Sequence, residues 1–399
     1  MQYLVEKFRR KLQYVSVDFQ RSLMQDINWE ARLIAIKGAR GAGKTTLLLQ
    51  RIKTQYTDLK TVLYASLDDI WFSDHRLVDL ADTFVKQGGR YLFLDEVHKY
   101  PDWSRAIKNI YDDYPDLQIV FTGSSLLEIL NARADLSRRS IVYMLQGLSF
   151  REYLQFTQGL DLPRLSLEQI LAEHEEWAAR IYREVPPLAH FGAYLELGYY
   201  PYFKEIPGLY AQRLSEVINL ILEVELPLLR SVEIGFVSKV KQLLLIIAES
   251  APFKPNISSI STKIGINRQT LLAYLHHLAE AGLTRHIYKA SHGISRLQKP
   301  DKIYLDNTNT AYALTTQRPE QGTVQETFFA NQLGYQHELN YPHKGDFLVD
   351  QKYYFEVGGP KKATGQLAGL PEQRAYYALD QIELGYQHKI PLWLFGFLY

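Results

Sequence analysis

The chain has no cysteine among its 399 residues. That excludes disulfides, thiol catalysis and cysteine–zinc sites, and it suits a reducing cytoplasm. Charge of one sign is also missing. The 45 Lys and Arg against 44 Asp and Glu leave a net charge of +1. No whole-molecule field then draws the protein to nucleic acid or to a membrane surface, and any such binding must come from a local patch. Long apolar runs are absent as well. Leu243 to Ala248 is typical of the longest, far short of the roughly 20 residues that span a bilayer. The start, Met1-Gln2-Tyr3-Leu4-Val5-Glu6-Lys7, lacks the apolar core of a signal peptide. Together these absences lead to the expectation of a cytoplasmic protein without membrane contact.

The composition that remains is 46% hydrophobic and 22% charged, which describes a globular protein. A chain of 399 residues exceeds one ordinary core, so two or three domains are expected. The 28 tyrosines are expected to pack domain interfaces and are given no chemistry.

One segment names a ligand class. Gly38-Ala39-Arg40-Gly41-Ala42-Gly43-Lys44-Thr45 fits G-x-x-x-x-G-K-[ST]. An apolar run, Leu33 to Ile36, precedes it as a buried strand, and a helical run from Thr46 to Ile52 follows. Glycines let the backbone wrap closely and aim N–H groups at phosphate oxygens, and the helix N-terminus adds partial positive charge. Residues Gly38 to Thr46 are therefore the expected nucleotide cradle. Lys44 is expected to reach the β- and γ-phosphates, and the Thr45 hydroxyl to ligate Mg²⁺.

Short apolar strands alternate with helical stretches, which predicts an α/β fold with a parallel sheet covered by helices. Candidate strands are Leu33–Lys37, Val62–Ser66, Tyr91–Asp95, Gln118–Thr122 and Ile141–Leu145. Ligands in such sheets bind beyond the carboxyl ends of the strands. The third strand ends in Asp95-Glu96. Asp95 is expected to support the Mg²⁺ shell, and Glu96 to polarise the attacking water as a general base. At the end of the fourth strand, Thr122, Ser124 and Ser125 are candidates to lie beside the γ-phosphate. Ser125 reads also as the N-cap of a helix from Leu126. Asp68 and Asp69 end the second strand, as candidate supports of the site from further out. Arg133, Arg138 and Arg139 follow the fourth strand. Arg139 is the candidate to reach transition-state phosphates, in cis or from a neighbouring subunit of a homo-oligomer, and it reads also as a solvated loop arginine.

Several strings carry a resemblance. They are Leu94-Asp95-Glu96-Val97-His98-Lys99-Tyr100-Pro101-Asp102-Trp103, Phe121-Thr122-Gly123-Ser124-Ser125, Arg138-Arg139, Leu148-Ser149-Phe150-Arg151-Glu152-Tyr153 and Gly198-Tyr199-Tyr200-Pro201. In this order the chain resembles a large family of prokaryotic AAA+-type ATPases with a C-terminal domain of unknown function. The resemblance implies ATP and Mg²⁺ as ligands and the roles given for Lys44, Thr45, Asp95 and Glu96. It also implies a functional Arg139. Arg138 stands where the family usually has Gly, and the phosphate loop reads Gly-Ala-Arg-Gly-Ala where the family often has Gly-Pro-Arg-Arg-Val.

The expected organisation is an ATPase domain over residues 1–160, a helical connector over 161–235, a winged helix over 236–310 and a small nuclease-like α/β domain over 311–399. The winged helix rests on helices at Lys239–Ser250, Ile257–Ile264 and Arg268–Ala281, turns at Gly265 and Gly282, an N-cap at Asn267, and strands at Leu283–Tyr288 and Lys302–Leu305. As a reader of double-stranded DNA it would present Arg268, Gln269 and Thr270 to the major groove. Lys289, His292, Arg296 and Lys299 would then meet phosphates. As a protein-contact module it would do neither. The third helix, with Tyr274, His276, His277 and Glu280, is not notably basic.

Near the C-terminus, Glu326, Asp346 and Glu356 stand in the order of the PD-(D/E)xK nuclease fold, which the region resembles. That fold uses its carboxylates for Mg²⁺ and its lysine for the nucleophile. Here Gly358 occupies the lysine position, and Lys361 and Lys362 follow in the next turn. The expectation is a degenerate domain that does not cut. The sequence thus predicts an ATP-hydrolysing molecular switch whose C-terminal modules contact DNA or a protein partner. The alternatives are an ATP-gated nuclease and a regulator that binds protein only.

Overall fold

The structure, a computed structural model, describes residues 1–123, 136, 138–230, 232–250, 252–289, 299–315, 317–360 and 364–399. It divides into two compact units, Met1–Gly147 and Leu148–Tyr399.

The first unit is built on five parallel strands: β1 (Leu33–Lys37), β2 (Val62–Ser66), β3 (Tyr91–Asp95), β4 (Gln118–Gly123) and β5 (Ile141–Met144). Three have the expected bounds. β4 runs one residue longer and β5 stops one residue short. Their order is β2-β3-β4-β1-β5. Side chains alternate between two faces, and both are covered. Leu33, Ala35, Leu92, Leu94, Ile119 and Phe121 pack with Leu80, Phe84 and Ile107, from helices Leu77–Lys86 and Trp103–Asp113. Ile34, Ile36, Phe93 and Val120 pack with Leu47, Leu48 and Ile52 of helix Lys44–Gln55 and with Phe8 of helix Gln2–Tyr14. Burial on both faces is why these strands read as unbroken apolar runs. The order matters for the site because β4 is inserted between β1 and β3. The carboxyl ends of all three therefore lie side by side.

The second unit opens with two helices, Phe150–Gln158 and Leu167–Glu184. Each starts in a capping box, Ser149 with Glu152 and Ser166 with Gln169. The Ser149 hydroxyl and the Arg151 guanidinium both donate to the Tyr399 carbonyl, at 2.6 and 3.1 Å, so the last residue is tied to the first helix of the unit. Helix Tyr210–Leu220 does not end ahead of Pro227. It passes through a π-turn at Ile221–Glu225 into Leu226–Arg230, the kind of local widening that lets a helix accept a proline with no N–H to give.

The elements read as a winged helix occur in the expected order. Helix Val237–Ser250 is followed by Ile257–Ile264, which has Asn256 as N-cap and Gly265 at φ 70° as C-cap. Helix Arg268–Glu280 follows, with the Asn267 side chain accepting from the Thr270 N–H at 2.8 Å. Strands β6 (Thr284–Lys289) and β7 (Lys302–Leu305) then pair antiparallel. This hairpin is also stitched to the C-terminal strands. β6 pairs with β8 (Leu339–Tyr341), and β9 (Phe347–Val349), β10 (Tyr353–Gly358), β11 (Ala375–Leu379) and β12 (Lys389–Pro391) complete one sheet in the order β12-β11-β10-β9-β8-β6-β7. Residues 148–399 thus form one compact unit, and one sheet runs from the hairpin to the C-terminal strands. Among the described residues no helix is long and apolar enough to cross a membrane.

Candidate active site

The phosphate loop bridges β1 and helix Lys44–Gln55. Gly41 and Gly43 hold φ of 84° and 97°, a region that disfavours side chains, so these two glycines are required by the turn itself. Gly38 is required by space. A Cβ there would lie 2.3 Å from the Leu145 carbonyl oxygen, at the exit of β5. The Lys44 ammonium turns back onto its own loop and donates to the Gly38 and Ala39 carbonyls at 2.9 and 3.0 Å. It is buried, and so is Ala42, whereas Thr46 faces solvent. Ala39 and Arg40 are half-buried.

A residue that sequence reasoning passed over braces this loop. Arg21, only 6% exposed, donates to the Ala42 carbonyl at 2.6 Å and to the Gln146 and Gly147 carbonyls at 2.8 Å each. A planar fork of five donors suits three backbone acceptors in a way a lysine does not. No local pattern marks it, because its partners lie 21, 125 and 126 residues away.

Asp95 is the centre of the site and is 2% exposed. The Thr45 hydroxyl, from the first turn of helix Lys44–Gln55, donates to its Oδ2 at 2.6 Å. Thr122, from the inserted strand β4, donates to Oδ1. Tyr64, from β2, donates to Oδ2 at 2.7 Å, a partner that no local pattern marks. Burial, and then the Asp95 charge, push the Tyr64 hydroxyl well above its ordinary range, so it stays protonated and can only donate to Asp95. Lys11 donates to the same tyrosine oxygen at 3.3 Å. Of the outer candidates, Asp69 caps the turn Ile70–Ser73 and is paired with Lys7 at 2.5 Å. Asp68 faces solvent.

Glu96 follows Asp95 in a left-handed conformation, φ 52°. For a residue other than glycine that is an uncommon backbone, concentrated at functional turns. It swings the carboxylate out of the strand's alternation, leaving it a quarter exposed. Its N–H donates to the Thr122 hydroxyl at 3.3 Å. His98 Nε2 lies 3.4 Å from Glu96 Oε2, and its side chain is 3% exposed. Burial, followed by the charges of Lys99, Arg40 and Lys44, lowers the His98 pKa to about 4, so the ring is neutral at physiological pH.

Ser124, Ser125 and Arg133 lie outside the described residues. Arg139 is half-buried and held in a two-pronged pair with Asp112, Nε to Oδ1 and Nη2 to Oδ2, both at 3.0 Å. Arg138 faces solvent.

The carboxylates expected to form a nuclease-like centre are gathered differently. Glu326 and Asp346 converge, but on an ammonium. The buried Lys302 Nζ lies 3.2 Å from Glu326 Oε2 and 3.2 Å from Asp346 Oδ1. Tyr304 donates to Glu326 Oε2 at 2.6 Å, and Asp346 Oδ2 accepts the Val357 N–H at 3.0 Å. Glu356 is buried beside Gln366, whose amide nitrogen, turned toward it, donates to Oε2 at 2.8 Å. Among the described residues no group of three His, Cys, Asp or Glu side chains has the geometry to hold a metal ion. Lysine enters this cluster from β7 and not from position 358, where Gly358 ends β10. Lys361 and Lys362 are outside the described residues. Of the candidate DNA contacts, Arg268, Gln269, Lys289 and Lys299 face solvent, Thr270 is half-buried, and His292 and Arg296 are outside the described residues.

Parts of this chain are similar to known proteins. Residues 30–154 match the family model described as AAA domain, and residues 188–321 match a domain of unknown function, DUF8612. The first unit thus holds an AAA-type domain that carries the P-loop signature, and the second unit holds the region similar to the domain of unknown function. Uncharacterized protein MJ1637 of Methanocaldococcus jannaschii is 27% identical over 291 residues, which is 69% of this chain and 61% of that protein. The chain thus spans less than two thirds of that relative's length. Among solved structures, the Walker-type ATPase PABY2304 of Pyrococcus abyssi overlaps at a TM-score of 0.42 and 12% identity, covering 74% of this chain and 95% of that one. The ORC1 protein of Aeropyrum pernix, solved in complex with DNA, overlaps at 0.30 and 14% identity, covering 77% and 91%. Likeness at that level carries no inference about shared function.

Proposed function

We propose that the protein is an ATP-hydrolysing molecular switch whose second unit contacts DNA or a protein partner. The observation that carries this reading is the joining of Thr45 and Thr122 to one buried carboxylate, Asp95, with Glu96 immediately beyond it. Thr45 and Asp95 offer hard oxygen donors 2.6 Å apart, which fit Mg²⁺. When bound, the ion would supply charge neutralisation on the phosphate oxygens.

The protein's own groups do the rest. N–H groups of the loop from Gly38 to Thr46 bind the phosphates. Lys44 leaves the Gly38 and Ala39 carbonyls and turns to the β- and γ-phosphates, a short rotation that exchanges neutral acceptors for charged ones. Asp95 is held in one orientation by three hydroxyls. Glu96 accepts a proton from the attacking water, and its left-handed backbone aims the carboxylate away from Asp95, so the two acids do separate work. Arg139, held near the surface by Asp112, is the candidate to reach the transition-state phosphates, in cis or from a neighbouring copy. The second unit then converts nucleotide state into contact with a partner, Arg268, Gln269, Lys289 and Lys299 being its exposed polar and basic groups for DNA.

The test is steady-state phosphate release by the wild type and by Glu96→Gln, with and without duplex DNA, across protein concentrations. Hydrolysis lost in the variant and raised by DNA supports a DNA-coupled switch. A rate that climbs more steeply than protein concentration supports Arg139 acting between copies. A rate indifferent to DNA moves the reading to a protein partner. Hydrolysis that survives Glu96→Gln overturns the assignment of the base.

A further inference from the structure

We propose that His98 is a positioning residue for the Glu96 carboxylate, holding it toward the attacking water through an N–H donated from Nε2. The inference rests on the reading of Glu96 as general base.

Neither ring nitrogen of His98 has a hydrogen-bond partner among the described residues, and its side chain is 3% exposed. A buried polar ring without partners costs stability, so its presence calls for a reason. Its surroundings supply one. Nε2 is 3.4 Å from Glu96 Oε2, a few tenths of an ångström beyond a good hydrogen bond. Such contacts in ligand-free sites commonly tighten only when substrate arrives.

The backbone fixes both partners. Glu96 is in the left-handed region, and the short helix Val97–Lys99 begins directly after it, so residues 96 and 98 share one tight turn. A neutral imidazole has one N–H and one lone pair. With the proton on Nε2, it donates to the carboxylate without adding positive charge, which would lower the basicity of Glu96. Burial first, and then the neighbouring charges of Lys99, Arg40 and Lys44, keep the ring in that neutral form. What the ring supplies is orientation. Its N–H selects which oxygen of the quarter-exposed carboxylate faces the water.

The experiment compares His98→Gln, which keeps a neutral donor, with His98→Leu, which keeps the volume and removes it. Four quantities are read for each: kcat, KM for ATP with Mg²⁺, affinity for a fluorescent ATP analogue, and thermal midpoint. We expect His98→Leu to lower kcat about tenfold or more, the scale of a misplaced catalytic group. KM and analogue affinity stay within about twofold, and the midpoint is unchanged or raised, because an unpartnered buried polar ring has been replaced by an apolar one. His98→Gln keeps most of kcat. Adding His98→Leu to Glu96→Gln produces no further loss, since the donor has no base left to orient.

The proposal is overturned if His98→Leu hydrolyses at the wild-type rate. It is also overturned if the loss lies in KM, if His98→Gln is as slow as His98→Leu, or if His98→Leu lowers the midpoint in step with the rate. Should His98→Leu fail to fold, His98→Met replaces it and is judged by the same four readings. Wild-type hydrolysis in Glu96→Gln alone is a different failure. It removes the base itself, and is seen before any His98 variant is made.

Discussion

Tyr64 and Asp95, on adjacent strands, are joined through the tyrosine hydroxyl at 2.7 Å, on the same carboxylate oxygen that Thr45 approaches at 2.6 Å. The carboxylate proposed for the Mg²⁺ shell is thereby tied to the core of the sheet. Lys11, from the N-terminal helix, extends the link by donating to the tyrosine oxygen.

Tyr64→Phe keeps the ring in the core and removes one donor from a buried charge. Stability should fall by about 2 kcal/mol, the scale of a hydrogen bond to a charged group, read as a shift in urea midpoint at constant slope. Asp95 retains Thr45 and Thr122, so kcat should fall less than about threefold, under 1 kcal/mol of barrier. A tenfold loss would show that the tyrosine takes part in the chemistry.

Arg21→Lys should loosen the phosphate loop. An ammonium cannot serve the Ala42, Gln146 and Gly147 carbonyls in the plane the guanidinium uses. ATP affinity should drop about tenfold, measured by titration with a fluorescent analogue, because the loop must be ordered at the moment of binding. An unchanged affinity would make Arg21 a purely structural brace.

Lys302→Ala removes the ammonium that Glu326 and Asp346 share. Breaking a buried ion pair from one side costs about 3–5 kcal/mol, so the second unit of the variant should melt well below the wild type. The linkage to pH has a definite sign. Glu326 and Asp346 raise the Lys302 pKa above its ordinary 10.5, against the lowering effect of burial. Its contribution to stability is therefore complete below about pH 10.5 and lost as pH rises through the higher folded value. Alkaline melts of the wild type, compared with Lys302→Met, would show it.

Acid should weaken the protein before its carboxylates titrate. Burial holds His98 and His286 at about 4, against an ordinary value of 6.5. Both are neutral in the fold and become charged in the unfolded chain below about 6.5. Stability is then intact above that pH and falls progressively down to about pH 4. Urea midpoints at pH 7.5 and 5.0 should differ in the wild type, and less in His286→Gln, which cannot charge. Equal differences would remove His286 from the account.

Much of the first unit was legible because its signals are local. The phosphate loop is eight consecutive residues, two of whose glycines sit at positive φ and a third against the Leu145 carbonyl. Three of its five strands were bounded to the residue, since a strand buried on both faces is an uninterrupted apolar run ended by polar residues. Asp95 and Glu96 were readable for the same reason, as the polar end of such a run.

What the sequence determined by itself was therefore the local signals carried within single turns and strands: a glycine-rich loop at positive φ, and a strand ending in the two acids proposed for metal and water. The tertiary structure alone decided who surrounds them. Thr122 meets Asp95 across 27 residues because β4 is inserted between β1 and β3. Arg21 meets Gln146 across 125 because β5 closes the sheet beside the loop. Lys302 reaches Asp346 across 44 because the hairpin and the C-terminal strands share one sheet. None of these pairings is marked by the neighbours of either residue in the chain. Strand order is settled by the summed packing of two cores, and the composition of a single strand does not specify which other strand will lie beside it.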